Sequence, residues 1–148
     1  MTVVIETRRL SLRRQDTSDA PFILRLLNDA DFLRFIGDRG VRTLEEAEAY
    51  IRDGAVASYE AHGFGLWLVE SKDAGEAIGV CGLLRRDFLE DVDLGFAFLP
   101  EYRRRGYARE AAEATIMFAR EQLGLERLAA IVSPENTASI RLLEGLGF

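Results

Sequence analysis

Apolar and polar residues follow strand-like and helical spacings along most of the chain. Residues 8–14 alternate around two leucines, which is typical of a half-buried strand. Thr17 or Ser18 is then the expected N-cap of a helix that carries Pro21 in its first turn. The apolar face of that helix is predicted to hold Phe22, Ile23, Leu26, Leu27 and Ala30. The chain is therefore expected to open with a strand followed by a helix.

A second helix and three strands are predicted in the middle of the chain. Thr43 and Glu46 have the spacing of a capping box, and the helix that they begin is expected to end near Gly63. Gly54 weakens the helical pattern midway. The strand-like runs are residues 65–70, 77–84 and 92–99. These three runs predict an antiparallel meander.

The last third of the chain predicts a helix, a strand and a helix. The first helix follows residue 106 and ends at Gly124, and its charged residues, Glu110 among them, are expected to face solvent. Residues 128–132 are a candidate buried strand, and residues 136–146 predict the final helix. Taken with the earlier elements, this order favours an α/β fold with a mixed sheet.

The turn Arg103-Arg104-Arg105-Gly106-Tyr107-Ala108 combines positive charge with small residues at a strand-to-helix joint. The first N–H groups of a helix lack partners and its dipole makes that end electropositive, so an anion is favoured there. Gly106 can adopt a positive φ, and the arginines add donors for phosphate oxygens. The alternative is a solvated run of charge beside an ordinary helix. Because ligands favour such joints in open α/β sheets, the turn predicts a site for a phosphorylated cofactor.

Composition narrows the class of protein. The chain has 148 residues, 48% of them hydrophobic, which suits a single domain over residues 1–148. Its net charge of -6 argues against a nucleic-acid partner. The sequence contains neither an apolar run of membrane-spanning length nor an opening signal peptide. We therefore expect a cytoplasmic protein without a membrane partner.

The residues also disfavour several chemistries. Cys81 is the only cysteine and lies in a strand-like run, so a buried structural thiol is expected and no metal site is predicted. His62, the only histidine, lies at a predicted helix end, where it suits the helix dipole. The sequence has no P-loop motif and no G-x-S-x-G motif. Mononucleotide binding and serine hydrolysis are thus disfavoured.

Several separated stretches occur in the order of one known family. Glu6-Thr7-Arg8-Arg9-Leu10 is similar to an opening strand, and Asp93-Leu94-Gly95-Phe96 to the strand before a cofactor loop. The loop itself fills the pattern [QR]-x-x-G-x-[GA], and Asn136-Thr137-Ala138-Ser139 fits a following asparagine motif. The chain thus resembles the GNAT superfamily of N-acetyltransferases, in particular its RimJ/RimL-like branch. The resemblance implies a mixed, mostly antiparallel sheet flanked by helices, with a splayed strand pair that forms an acetyl-CoA crevice.

The resemblance also implies acetyl-CoA as the cofactor and coenzyme A as a product. The loop Arg103–Ala108 would hold the pyrophosphate through backbone N–H groups, and Phe98 and Leu99 would pair with the pantetheine amides. Asn136 and Ser139 would reach the pantetheine arm from the other side. Capping of the final helix is the alternative role for these two side chains.

The implied reaction is direct attack of an amine on the thioester carbonyl. Asp93 occupies the place where the branch often carries a glutamate that faces the acceptor, so it is the candidate base. A solvated carboxylate beside Glu90 and Asp91 is the alternative. Ser139 is the candidate proton donor to the thiolate, because the position of the tyrosine found in many GNAT enzymes is Leu143 here.

The expected acceptor is a primary amine, either a protein or peptide N-terminal α-amine or a small-molecule amine. An α-amine titrates near 8 and a lysine near 10.4, so a lysine costs about 3 kcal/mol more to deprotonate. Segments around Phe32–Ile36 and Tyr50 are expected to build the acceptor pocket. A non-catalytic acyl-CoA-binding or regulatory module is the alternative function, since Leu143 cannot donate a proton. An interaction domain that binds no coenzyme A is a third.

Family members usually continue past the Gly147-Phe148 pair with two further strands. The expectation is therefore a single GNAT-like domain without that C-terminal strand hairpin. A truncated or partly represented chain, and a homodimer that covers the open sheet edge, are alternatives to a complete monomer.

Overall fold

The computed structural model describes residues 2–148. Its sheet has five antiparallel strands in the spatial order of the chain. They are β1 Val3–Glu6, β2 Leu10–Arg13, β3 Leu66–Ser71, β4 Ala77–Leu84 and β5 Asp93–Phe98. The predicted meander is confirmed as β3, β4 and β5. The sequence prediction missed β1, because its consecutive apolar residues show no alternation.

Helices cover both faces of this sheet. They are α1 Ala20–Leu27, α2 Ala30–Phe35, α3 Leu44–Ile51, α4 Ala57–His62, α5 Tyr107–Leu123 and α6 Thr137–Gly145. On one face, α1 and α3 bury Ile23 and Ile51 against Leu68 of β3. On the other face, α5 and α6 bury Ala112 and Leu143 in the core that contains Trp67. The sheet is the middle of three layers, which is the α/β class predicted. No helix in residues 2–148 is long and apolar enough to cross a membrane.

The helix ends follow local capping rules, with one correction. The predicted cap Thr43 is confirmed, since its Oγ1 accepts the N–H of Glu46 at 3.1 Å. The first helical turn begins at Asp16, however, whose carboxylate accepts the N–H of Ser18 at 2.8 Å. Thr17 and Ser18 were the wrong caps because Asp, Ser and Thr serve this role almost equally well. Gly63 ends α4 at φ 78°, as expected.

The helix predicted from residue 43 to residue 63 is interrupted at its weak point. Gly54 lies in a π-helical turn, Arg52–Val56, that joins α3 to α4. Such a turn adds a residue to one helical turn and rotates the faces that follow. The two halves of the predicted helix therefore present different faces to the sheet.

Residues 128–132 do not form the full strand that was predicted. Ala129 alone pairs in parallel with Asp93. Its carbonyl accepts the N–H of Leu94 and its N–H donates to the carbonyl of Val92, both at 2.9 Å. The chain then departs from β5, and Ile131 is exposed. This departure leaves the edge of β5 open beyond Leu94.

Cys81 is buried in β4, as expected of a structural thiol. Its Sγ lies 3.4 Å from Oγ1 of Thr115, whose hydroxyl also donates to the carbonyl of Ala111 at 2.8 Å. Burial raises the pKa of the Cys81 thiol to about 12. The thiol therefore stays protonated and serves packing between β4 and α5.

Candidate functional site

A cleft of about 440 Å³ opens at the carboxyl end of β5, with α2 on one side and α5 and α6 on the other. We refer to it as the edge cleft. It gathers most of the residues predicted to bind the cofactor, namely Phe98, Arg103, Arg104, Gly106, Tyr107, Ala108, Asn136 and Ser139. Leu99 and Arg105 lie outside its lining. The loop motif and the asparagine motif, distant in sequence, thus face one cavity.

The loop before α5 presents backbone N–H groups to this cleft. Arg104 and Gly106 both adopt left-handed conformations, at φ 63° and φ 79°. Gly106 is the N-cap residue of α5, and no side chain among residues 2–148 caps this helix end. By contrast, Thr43 and Asn136 cap α3 and α6. The open N–H groups and the helix dipole together favour an anion in the edge cleft.

Arg9 and Glu110 hold this loop from the side opposite the cleft. Arg9 donates to Glu110 through Nε at 2.7 Å and through its backbone N–H at 3.0 Å. Its Nη1 donates to the carbonyl of Arg105 at 2.9 Å, and its guanidinium lies 4.5 Å from the centre of the Tyr107 ring. The hydroxyl of Thr7 donates to the same carboxylate. Glu110 was wrongly expected to face solvent, because helical periodicity does not reveal a partner on the β1–β2 turn.

The hydrogen bonds from Thr7 and Arg9 change the pKa of Glu110. Burial raises the pKa of this carboxyl, but the hydrogen bonds from Thr7 and Arg9 outweigh burial and leave the pKa below its ordinary value. The folded protein therefore stabilises the ionised form of this carboxyl.

The guanidinium of Arg103 binds other residues of the protein. It was expected instead to donate hydrogen bonds to phosphate oxygens. Its Nε and Nη2 donate to the carbonyl of Phe98 at 3.1 and 2.8 Å. Its Nη2 also lies 3.0 Å from a carboxylate oxygen of Asp29, and Nη1 pairs with Asp31. Arg104 is exposed at the cleft rim and makes no ion pair with residues 2–148. Arg104 is therefore the loop arginine that remains available to a ligand.

Helix α2 forms a wall of the edge cleft that the sequence did not predict. Asn28 ends α1 and Asp29 caps α2, so Ala30 belongs to a new helix and not to α1. The adjacent Asn and Asp are the signal that could have revealed this break. The wall consists of Asp29, Asp31, Phe32, Phe35 and Ile36. Phe32, Phe35 and Ile36 thus line the predicted cofactor cleft, whereas this segment was expected at the acceptor pocket.

The open edge of β5 borders the same cleft. The N–H of Leu99 donates to the carbonyl of Ile78 in β4 at 3.1 Å, whereas the N–H of Leu94 points the opposite way, to Ala129. Backbone groups alternate in direction along a strand. The N–H and C=O groups of Phe96 therefore point away from β4, towards the edge cleft that Phe96 lines.

Leu99 was predicted to contact the cofactor through its backbone, but both of its backbone groups are bonded within the protein. Its N–H is bound to Ile78, and its carbonyl accepts the N–H of Tyr102 at 3.0 Å. Its side chain is 2% exposed and packs in the core beneath α1. Both backbone groups are thus used within the protein, because the chain turns at Pro100 immediately after the strand.

Asn136 and Ser139 line the edge cleft at the start of α6. The side chain of Asn136 accepts the N–H of Ser139 at 3.3 Å, which is the capping contact weighed as the alternative. Capping uses the backbone N–H of Ser139, and no hydrogen bond within residues 2–148 uses its hydroxyl. Leu143, by contrast, is 6% exposed and lies in the core.

Asp93, the predicted base, lies at the opposite end of β5 from Phe98 and outside the lining of the edge cleft. Its side chain is 2% exposed, and its Oδ1 accepts the Nε of Arg86 at 3.1 Å. Burial raises the pKa of Asp93, and the nearby Arg86 partly offsets that effect. Asp93 is therefore a buried, ion-paired carboxylate and not the solvated carboxylate that was its alternative. The role of Asp93 as base stays a prediction.

Comparison with known proteins identifies the family. The profile of the acetyltransferase (GNAT) domain matches residues 9–148. The chain belongs to the GNAT acetyltransferase family. Among its relatives, the uncharacterized N-acetyltransferase YoaA of Bacillus subtilis is 31% identical over 151 residues, covering 100% of this chain and 84% of YoaA. The uncharacterized protein YkkB of Bacillus subtilis is 28% identical over 144 residues, covering 95% of this chain and 82% of YkkB.

Solved structures share this GNAT fold. An acetyltransferase from Agrobacterium tumefaciens matches with a TM-score of 0.82 and 27% identity, covering 97% of this chain and 81% of its own. A RimL ribosomal L7/L12 α-N-protein acetyltransferase in complex with coenzyme A matches with a TM-score of 0.82 and 16% identity, covering 99% and 83%. The second likeness shows the fold alone. Acetyl transfer from acetyl-CoA is the activity of the family.

This GNAT domain has a second cleft, of about 850 Å³, on the sheet face that α3 and α4 cover. We refer to it as the face cleft. Tyr50, which was predicted to help build the acceptor pocket, lines it. Leu66 and Leu84 also line it and reach Gly95 of β5, where an added Cβ would lie 3.4 and 3.1 Å from their methyl carbons. The two leucines therefore separate the face cleft from Gly95, which is the neighbour of Phe96 in the edge cleft.

Proposed function

We propose that this chain transfers the acetyl group of acetyl-CoA to a primary amine, in the manner of a RimJ/RimL-like N-acetyltransferase. One observation carries the proposal: the uncapped start of α5 and the open edge of β5 border the same cleft. The first attracts an anion, and the second offers a backbone donor and acceptor to an extended amide chain.

The edge cleft fits the two chemically different parts of acetyl-CoA. The N–H groups at Gly106–Ala108 and the cation of Arg104 are suited to the pyrophosphate. The amide groups of Phe96 are suited to the pantetheine amides, so that the arm would add to β5 as a strand. Phe32 and Phe35 supply apolar cover on the α2 side.

When bound, acetyl-CoA supplies a thioester that an amine can attack directly. The C–N bond forms, the C–S bond breaks, the amine loses one proton and the departing thiolate gains one. We assign the first proton to Asp93 through a bridging water, because Asp93 does not line the edge cleft and its raised pKa makes it a stronger base. We assign the second to the hydroxyl of Ser139, and Phe96 N–H is the candidate donor to the carbonyl oxygen.

We place the acceptor in the face cleft. The edge of β5 is taken by the cofactor in this proposal, so the sheet face at Gly95 is the remaining approach to the middle of the strand. An α-amine, which is the kind of acceptor in the name of the RimL structure, suits a site with one buried carboxylate and no tyrosine at position 143. A protein or peptide N-terminus is therefore the acceptor that we favour.

Calorimetric titration with acetyl-CoA, followed by thiol release with peptides and alkylamines, tests the proposal. Micromolar binding and turnover on a free N-terminus are expected. Absence of binding would overturn the proposed cofactor site. Binding without turnover on any amine would favour a non-catalytic acyl-CoA-binding module, which the buried apolar Leu143 supports.

A further inference from the structure

Gln15 places a polar side chain in the wall of the face cleft. It follows β2 and is only 6% exposed. Its Nε2 donates to the carbonyl of Leu66 at 2.9 Å. Because a carbonyl can only accept, this bond determines which end of the amide is nitrogen and directs Oε1 the other way.

The oxygen of this amide is the part of Gln15 that could receive a ligand. No hydrogen bond to Oε1 of Gln15 occurs among residues 2–148. Yet no buried side-chain nitrogen or oxygen in those residues lacks a partner. Oε1 is therefore reached by solvent, and Gln15 meets solvent at the face cleft. A nearly buried amide in a cavity wall, with an acceptor atom that solvent reaches, is suited to a ligand that brings a donor.

The amide is held rigidly in that orientation. The backbone N–H of Gln15 donates to the hydroxyl of Tyr59 at 3.0 Å, and that hydroxyl in turn donates to the carbonyl of Leu66. Burial raises the pKa of Tyr59 to about 12, so its hydroxyl keeps the proton that it donates. A ligand would therefore lose little entropy in ordering Gln15.

The position of Gln15 determines how far a group that it binds lies from Gly95, where the amine is proposed to react. Leu66 pairs with Gly82, and Gly82 pairs with Gly95, so the three residues form one row across the sheet. Two strand spacings separate Leu66 from Gly95 by roughly 10 Å. A group bound by Gln15 is therefore remote from an amine that reacts beside Gly95. In an extended peptide that distance is about three residues.

We propose that Gln15 is a specificity-determining residue that accepts a hydrogen bond from a backbone N–H of a peptide acceptor, about three residues from its reacting N-terminus. The proposal rests on the placement of the acceptor in the face cleft. Backbone N–H groups recur at every residue of an extended peptide except proline, so a contact to one of them depends on the peptide backbone and not on its sequence. Free small amines lack this donor and lose the contact.

The test compares a tetrapeptide with n-butylamine as acceptors, with rates followed by coenzyme A release. Gln15→Met is expected to raise KM for the peptide roughly tenfold, with KM for butylamine and for acetyl-CoA unchanged. Ser58→Ala is the matched control, because Ser58 also lines the face cleft and donates to a nearby backbone carbonyl, that of Phe64 at 2.6 Å, but takes no part in the hydrogen bonds of Gln15. An unchanged ratio of the two acceptor KM values in Gln15→Met, or an equal change in Ser58→Ala, would overturn the proposal.

A second measurement uses the unaltered protein and does not depend on how well a variant folds. Peptides N-methylated at one backbone amide, in the second, third or fourth residue, each lack a single donor. One of them is expected to show a KM about tenfold higher with the original protein and no further increase with Gln15→Met. Equal KM values for all three would overturn the role of Gln15 alone. Absence of turnover on every acceptor would overturn the proposed function as well.

Discussion

Two N–H groups of Arg103 hold the backbone carbonyl of Phe98, at 3.1 and 2.8 Å. The first residue of the loop motif is thereby joined to the last residue of β5. The same guanidinium pairs with Asp29 and Asp31 at the start of α2. The side chain of Arg103 therefore connects the loop before α5 with β5 and α2. Its positive charge is paired with carboxylates of the protein.

Replacing Arg103 is expected to disorganise that cleft. Arg103→Met removes the bonds to Phe98 and leaves Asp29, which is 11% exposed, without its cation. We expect a loss of about 2 kcal/mol in stability and at least a tenfold weaker affinity for acetyl-CoA, measured by thermal unfolding and calorimetry. Arg105→Met is the control, since Arg105 is exposed and outside the cleft lining. Equal affinities in the two variants would contradict this role for Arg103.

Gly106 is expected to be required for stability because of its left-handed conformation, and for acetyl-CoA binding because of its position in the loop before α5. Alanine at φ 79° costs about 1–2 kcal/mol, and its Cβ would lie 3.2 Å from Nη2 of Arg9. Gly124→Ala imposes similar strain at φ 65°, at the other end of α5 and with no atom within 4 Å of the new Cβ. Both variants should unfold at lower temperature, but only Gly106→Ala should bind acetyl-CoA more weakly. The same loss of affinity in both would show that strain in α5 is the cause.

Glu110 is expected to stabilise the protein in a pH-dependent way. The pKa of Glu110 lies below its ordinary value of 4.5, so the carboxylate stabilises the fold above that pH and loses this effect as the pH falls through the lowered pKa. Glu110→Gln should lower stability by about 2 kcal/mol at pH 7. Urea unfolding should show this difference shrinking as the pH falls below 4.5, the ordinary pKa of the carboxyl. Glu113→Gln, which affects only an exposed pair with Arg109, should change stability little at either pH.

Asp93 is the proposed base, and its removal should slow the chemical step. Asp93→Asn is expected to lower kcat about 100-fold and to leave KM for acetyl-CoA unchanged. Asp91→Asn is the control, because the one ion pair of Asp91 within residues 2–148 is with an exposed Arg127 at 3.6 Å. A kcat equal to that of the original protein would rule out Asp93 as the base.

The pH profile provides an independent measurement of the same group. Burial raises the pKa of Asp93 above 3.8, so the acidic limb of kcat should lie above the range of an ordinary aspartate. The guanidinium of Arg86 lowers that pKa. Arg86→Leu should therefore move the acidic limb to higher pH. A limb that does not move would exclude titration of Asp93 as its origin.

Local rules of capping and periodicity predicted much of the fold. Thr43, Gly63 and Gly124 begin or end helices at the expected positions because their effects act on adjacent backbone groups. The arginine-glycine loop was found for the same reason. The break between α1 and α2 was missed, since one apolar spacing continued across Asn28 and Asp29.

The partners of charged side chains were not predictable in this way. Arg103 was expected to face a phosphate, and Glu110 to face solvent. Both instead bind residues far away in the chain, on α2 and on the β1–β2 turn. Periodicity indicates whether a side chain faces inward or outward, but it carries no information about which distant element lies beside it.

The sequence by itself determined most of the elements, the glycine that opens α5 and the membership in an acetyltransferase family, because these depend on neighbouring residues and on a contiguous motif. Only the tertiary structure decided that the backbone groups of Leu99 are bonded within the protein, that α2 forms a wall of the edge cleft and that Gln15 lines a second cavity. These features depend on which backbone groups remain unpaired after the strands and helices have packed, and that is settled by contacts between distant parts of the chain.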